Sequence, residues 1–123
     1  MDTTGNVVKD KSFLFAVRIV KAARYLQQNH REFVLSKQLL RSGTSIGANI
    51  EEAMAGQSRK DFIAKMAIAS KETRETRETH YWIRLLITTG YLKDGREAEM
   101  TLMNDCIELS KMLTSIVKTS QEN

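Results

Sequence analysis

Few side chains in this 123-residue sequence are of types that do chemistry, and they fall mainly in two stretches. The first reads Arg41-Ser42-Gly43-Thr44-Ser45-Ile46-Gly47-Ala48-Asn49-Ile50-Glu51-Glu52, with hydroxyls, an amide, carboxylates and a guanidinium between amphipathic flanks. The second carries Glu72, Glu75 and His80, and a single thiol, Cys106, lies further on. Each kind of site has a spacing requirement. A carboxylate-bridged di-metal bundle needs Glu-x-x-His on inward helix faces. The residue three before His80 is Arg77, and the residue three before His30 is Gln27, so the pattern is absent. Two histidines and one cysteine at distant positions are a poor zinc donor set. A nucleophile pair of Cys106 and His80 would need both to face a cleft. Cys106 falls on an apolar stripe, where cysteine behaves as a small hydrophobe, and His80 falls on a core stripe and reads as a buried histidine. No strand precedes a glycine-rich loop that could cradle phosphate. The residues predict no enzyme, no metal and no cofactor.

Helical geometry gives the polar residues another role. At 100° per residue, Leu39, Ile46, Ile50 and Ala53 form one stripe, and Ser42, Ser45, Asn49 and Glu52 form a second beside it. Gly43 and Gly47 lie on the other side. Each glycine costs about 1 kcal/mol in a helix relative to alanine, and close approach of a neighbouring helix would offset that. A polar network of Arg41, Ser45, Asn49 and Glu52 with Glu72 and Glu75 is expected, fixing helix register or a subunit interface, because buried carboxylates need donors.

The elements that must hold these residues are four amphipathic helices. The first is predicted over about residues 10–28, with Phe13, Ala16, Val17, Val20, Ala23 and Leu26 at spacings of three and four. The second spans about 35–55, with Gly56 as its stop. Ser58 and Asp61 form a capping pair for the third, about 59–89. Its stripes are Phe62, Met66, Ala69, Ile83 and Ile87, then Ile68, Trp82 and Leu86, a face wide enough to need more than one neighbour. The fourth spans about 96–118, along Leu102, Cys106, Leu109, Leu113 and Ile116, with a frayed tail from Thr119. Short loops between long helices favour antiparallel neighbours, so the fold class is all-α, an antiparallel up-down four-helix bundle forming one domain over 1–123. The chain contains no proline, and Ala, Leu, Met, Lys, Arg and Glu are common, as helices prefer.

One cysteine excludes an intramolecular disulfide framework and fits a reducing compartment. No apolar run spans a bilayer, and residues 1–11 lack the apolar core of a signal peptide. A bacterial-type cytoplasmic protein with no membrane partner is the simplest reading. The formal charge is +4, unevenly spread: residues 1–41 hold eight Lys/Arg against three acids, and residues 93–123 hold four against six. Lys11, Arg18, Lys21 and Arg24 stand on the first helix as candidate contacts to RNA or DNA. Tyr81 and Trp82 could stack on bases, although core packing is the simpler role for them. The Thr73-Arg74-Glu75-Thr76-Arg77-Glu78 repeat reads as a salt-bridged face.

With these residues in view, the chain resembles the four-helix bundle family that includes the 23S rRNA intervening-sequence proteins. The match is carried by Gln38-x-x-Arg41-Ser42-x-x-Ser45-Ile46-x-x-Asn49-Ile50-x-Glu52. It continues through Asp61-Phe62, Ile68-Ala69-x-Lys71-Glu72, Glu75-Thr76 with Tyr81-Trp82-x-x-Leu85-Leu86, and Thr89-Gly90-Tyr91-Leu92, covering about residues 10–117. Family members often have proline or another small residue at the position of Gly47 and glycine at that of Ala53. The resemblance implies a homopentamer around a central channel. A similar protein, the accessory protein of diversity-generating retroelements, is a basic pentamer that associates with nucleic acid and a reverse transcriptase. Two functions follow as expectations: a homo-oligomer that binds RNA by charge, or a protein–protein scaffold that recruits a partner such as a polymerase.

Overall fold

A computed structural model of the chain describes residues 4–55, 58, 60, 61, 64, 74–93 and 97–122. Among them are four helices and no strand: α1 Thr4–His30, α2 Leu35–Met54, α3 Arg74–Thr88 and α4 Glu97–Glu122. Lys60, Asp61 and Ala64 are also helical, and the Ser58 hydroxyl accepts the Asp61 N–H at 3.1 Å, the capping pair expected for this region. The rest of the expected third-helix span, with Phe62, Met66 and Ile68, lies outside the described residues. α1 extends further at both ends than its periodicity predicts, and α4 continues as helix through Glu122 rather than fraying after Thr119.

Each helix packs on the next, and α4 closes back on α1. The chain direction alternates. Ser12 faces Gly47 and Ile19 faces Gly43 across α1 and α2, while Lys11 meets Glu108 and Arg18 meets Asp105 across α1 and α4. The result is a four-helix bundle, as the sequence predicts. α1 ends where Arg31 enters the left-handed region at φ 51°, and Glu32 returns its N–H to Leu26 at 3.1 Å. The Glu32 carboxylate then accepts the Ser36 N–H at 2.9 Å, satisfying one of the orphan donors that every helix start leaves. α3 ends at Gly90, φ 88°, where Tyr91 and Leu92 both donate to the Leu86 carbonyl. Glycine reaches that conformation without a Cβ penalty.

The core is apolar and draws on all four helices. Leu39, Ile46, Ile50 and Ala53 of α2 are buried, as are Leu102, Cys106, Leu109, Leu113 and Ile116 of α4, matching the predicted stripes. α1 differs. Its buried face is Val8, Ser12, Phe15, Ile19, Ala23 and Leu26, whereas Phe13 remains 62% and Val20 37% exposed. α1 carries two apolar stripes of helical period, and periodicity alone cannot choose between them. On α3 the buried line is Thr76, Thr79, Ile83 and Leu86, with Trp82 and Ile87 only half-buried. His80 is half-buried too, not the enclosed core histidine that its stripe predicts.

Candidate functional site: the motif of α2 and the charged surface

Inside the bundle, the α2 motif works through its smallest residues. Gly43 sits against Ile19 so closely that a Cβ there would lie 2.7, 2.8 and 2.9 Å from three carbons of the isoleucine side chain. At Gly47 the neighbour is the backbone of Ser12, and a Cβ would stand 3.4 Å from its carbonyl oxygen. The expected close approach of a neighbouring helix is therefore real, and the helix is α1. Ser42 is fully buried on the opposite flank, its hydroxyl 3.0 Å from that of Thr79. Thr79 also donates to the Glu75 carbonyl at 2.6 Å, so the pair has a backbone acceptor inside its own helix. Cys106 places its Sγ 3.6 Å from the Thr76 carbonyl. Burial pushes this thiol up to about 12, far from the range of a reactive thiolate.

On the surface of the motif, Arg41 pairs with Glu78 and its guanidinium also reaches Gln38 Oε1 at 3.2 Å. Glu78 in addition accepts the indole N–H of Trp82 at 3.3 Å. The carboxylate that meets Arg41 is thus Glu78, one helical turn beyond Glu75. Ser45 turns its hydroxyl back to the Arg41 carbonyl at 2.6 Å, a bond within its own helix. Asn49 is half-buried and Glu52 exposed. Glu75 is half-buried, and Glu72 lies outside the described residues. Of the six residues proposed for one network, Arg41 and Ser45 are joined to each other, and Glu78 with Thr79 supply the links to α3. Glu78 was legible as an acid on a charged face. Its choice over Glu75 depends on how α2 and α3 are set against each other, which their separate periodicities do not reveal.

The four candidate cations of α1 fall into two kinds. Lys11 pairs with Glu108, and Arg18 binds Asp105 Oδ2 at 2.6 Å. Lys21 and Arg24 are exposed, and among the described residues no acid pairs with them. Lys9 is 3.8 Å from Glu51. No group of three or more metal-ligating side chains occurs among the described residues, and none of their helices is long and apolar enough to cross a membrane.

Fold and motif together define a small four-helix bundle whose signature is a glycine-and-serine helix packed tightly on both sides. The 23S rRNA-intervening sequence protein family matches over residues 5–115, and the chain belongs to it. A solved structure that is similar comes from Bacteroides thetaiotaomicron VPI-5482, a protein of unknown function from the S23 ribosomal protein family. It is 55% identical, covers 94% of this chain and 98% of its own, and superposes with a TM-score of 0.79. Comparison with curated proteins gives no match.

Proposed function

We propose that this protein is a non-enzymatic homo-oligomer that binds RNA, or another nucleic acid, through the charge of its surface. The observation that carries the reading is how the acids are spent. Asp105, Glu108, Glu51 and Glu78 are each drawn into an ion pair between neighbouring helices. Lys21, Arg24, Lys37, Arg77, Arg84 and Lys111 stay exposed and without an ion pair among the described residues. Cations left in this state attract phosphate and release its counterions. Self-association is supported by α1, where Phe13 and Leu14 are each 62% exposed on one helix and Val7 and Val20 are partly exposed beside them. Such a face loses its contact with water in an oligomer. Five copies, the number the family resemblance implies, would bring the charge to about +20. The names borne by the family and by the Bacteroides protein refer to 23S rRNA and to a ribosomal protein family, a setting in which RNA is the nearest polyanion.

An electrophoretic shift of structured RNA across a salt series tests the binding, with affinity expected to fall steeply as salt rises. Absence of any shift at low salt removes the reading. Light scattering tests the oligomer, and a 14.0 kDa species at working concentration removes that part. A scaffold that recruits a protein partner is the second reading, favoured by Phe33 and Val34, which are 49% and 71% exposed on the loop between α1 and α2. It predicts a protein partner that stays bound after nuclease treatment.

A further inference from the structure

We infer that the outer face of α3 is a contact surface for single-stranded RNA, with Arg77 and Arg84 meeting phosphates and Tyr81 stacking on a base. The inference rests on the nucleic-acid reading above and assigns it a place. Residues 77, 81, 84 and 88 follow one another at spacings of four, three and four, which puts them on one side of a helix. All four are exposed, and Tyr81 leaves 56% of its surface open. The helical rise sets the two arginines about 10 Å apart along the axis, one on each side of the tyrosine.

The neighbouring acids turn away from this face. Glu78 is held at the α2 side by Arg41 and Trp82, and α4 gives Asp105 and Glu108 to α1. What α4 adds beside α3 is Ile107, 36% exposed, and the exposed Lys111 one turn on. The contact of Cys106 with the Thr76 carbonyl sets Ile107 and Arg77, each the next residue, at about the same level of the two helices. Tyr81 is steadied by an edge contact with Trp82, ring centroids 5.2 Å apart at 73°. An exposed aromatic ring between unneutralised arginines is the arrangement that holds a single strand, because every base offers a π face and every linkage a phosphate. Lys11 and Arg18, the α1 cations predicted for this role, are engaged by α4 acids, whereas Arg77 and Arg84 have no ion pair among the described residues.

The test is fluorescence anisotropy of a labelled oligouridine RNA with the full chain, over a series of salt concentrations. Arg77→Gln with Arg84→Gln should weaken binding about ten-fold and flatten the slope of log affinity against log salt by about 1.4, for two phosphates lost. Tyr81→Ala should weaken it roughly ten-fold with the slope unchanged, Tyr81→Phe should restore it, and a fully paired RNA duplex should not respond to Tyr81→Ala. Light scattering should give these variants the same mass as the parent. Parent protein that binds RNA while the α3 variants match it, with Lys21→Gln and Arg24→Gln weakened instead, overturns the assignment alone. Loss of oligomer mass in the α3 variants also overturns it, since the face would then join copies of the chain. Parent protein that binds no RNA overturns the functional reading itself.

Discussion

The inward face of α2 and the outward face of α3 are built on opposite terms. The first is made of glycine and serine, so that backbone lies against side chain with no slack at Gly43. The second is made of long side chains that touch little of the bundle, Arg77, Tyr81 and Arg84. The first carries the most specific stretch of the family's sequence signature, and of the second only Tyr81 belongs to that signature. The difference separates what holds the bundle together from what it offers to other molecules. Changes at the first should cost stability and leave RNA affinity per folded molecule intact, and changes at the second should do the reverse.

The largest effect should come from alkali acting on the interior thiol. Burial raises the Cys106 thiol from its ordinary 9.0 to about 12 in the folded chain. Its folded value lies above the unfolded one, so its contribution is whole below pH 9 and lost as pH rises toward 12. By pH 11 about two units of that interval are crossed, a loss of about 3 kcal/mol. Urea unfolding from pH 7 to 11 should fall more steeply for the parent than for Cys106→Ala, and equal slopes would contradict the burial argument.

Gly43→Ala should come next, destabilising by about 1–3 kcal/mol despite the better helix propensity of alanine. Two of the three clashing carbons branch from the stiff Cβ of Ile19 and cannot swing aside. Shrinking Ile19 to alanine in the same chain should cost less than the two separate losses together. Gly47→Ala meets only an ordinary contact, so it should be neutral within about 0.5 kcal/mol or slightly stabilising. If both glycines tolerate alanine equally, the seam is looser than its geometry.

Smaller again is the hydroxyl pair. Thr79→Val should cost about 1 kcal/mol, and Ser42→Ala added to it should cost less than it does alone, because the bond between the two hydroxyls is already lost. The smallest effect belongs to the surface. Glu78→Gln weakens the exposed pair with Arg41, worth about 0.5 kcal/mol and less at high salt. A loss of several kcal/mol there would move Glu78 from the exterior class to the interior one.

Much of this was legible in the residues. The α2 and α4 stripes could be read because each helix has a single apolar strip, and the two glycines pointed to a close neighbour because nothing else offsets their cost. α1 misled because Phe13 and Val20 obey the same period as Phe15 and Ile19. Only the fit of Ile19 into the gap at Gly43 decides which set goes inside. Thr79 was hidden for a different reason. A threonine is chosen for the core by its partner, and Ser42 sits 37 residues away. Arg77 looked like a member of a self-neutralising repeat until Glu78 beside it proved to be committed to Arg41 of α2.

One further property comes with the same geometry. Trp82 is the sole tryptophan of the chain, and its indole both donates to the Glu78 carboxylate and borders the ring of Tyr81. Its emission spectrum therefore samples a single place on the molecule, the boundary between the α2–α3 seam and the exposed tyrosine. Freeing the indole from the carboxylate should shift that emission, and a base laid on Tyr81 should quench it. The protein carries its own optical probe, with no label attached.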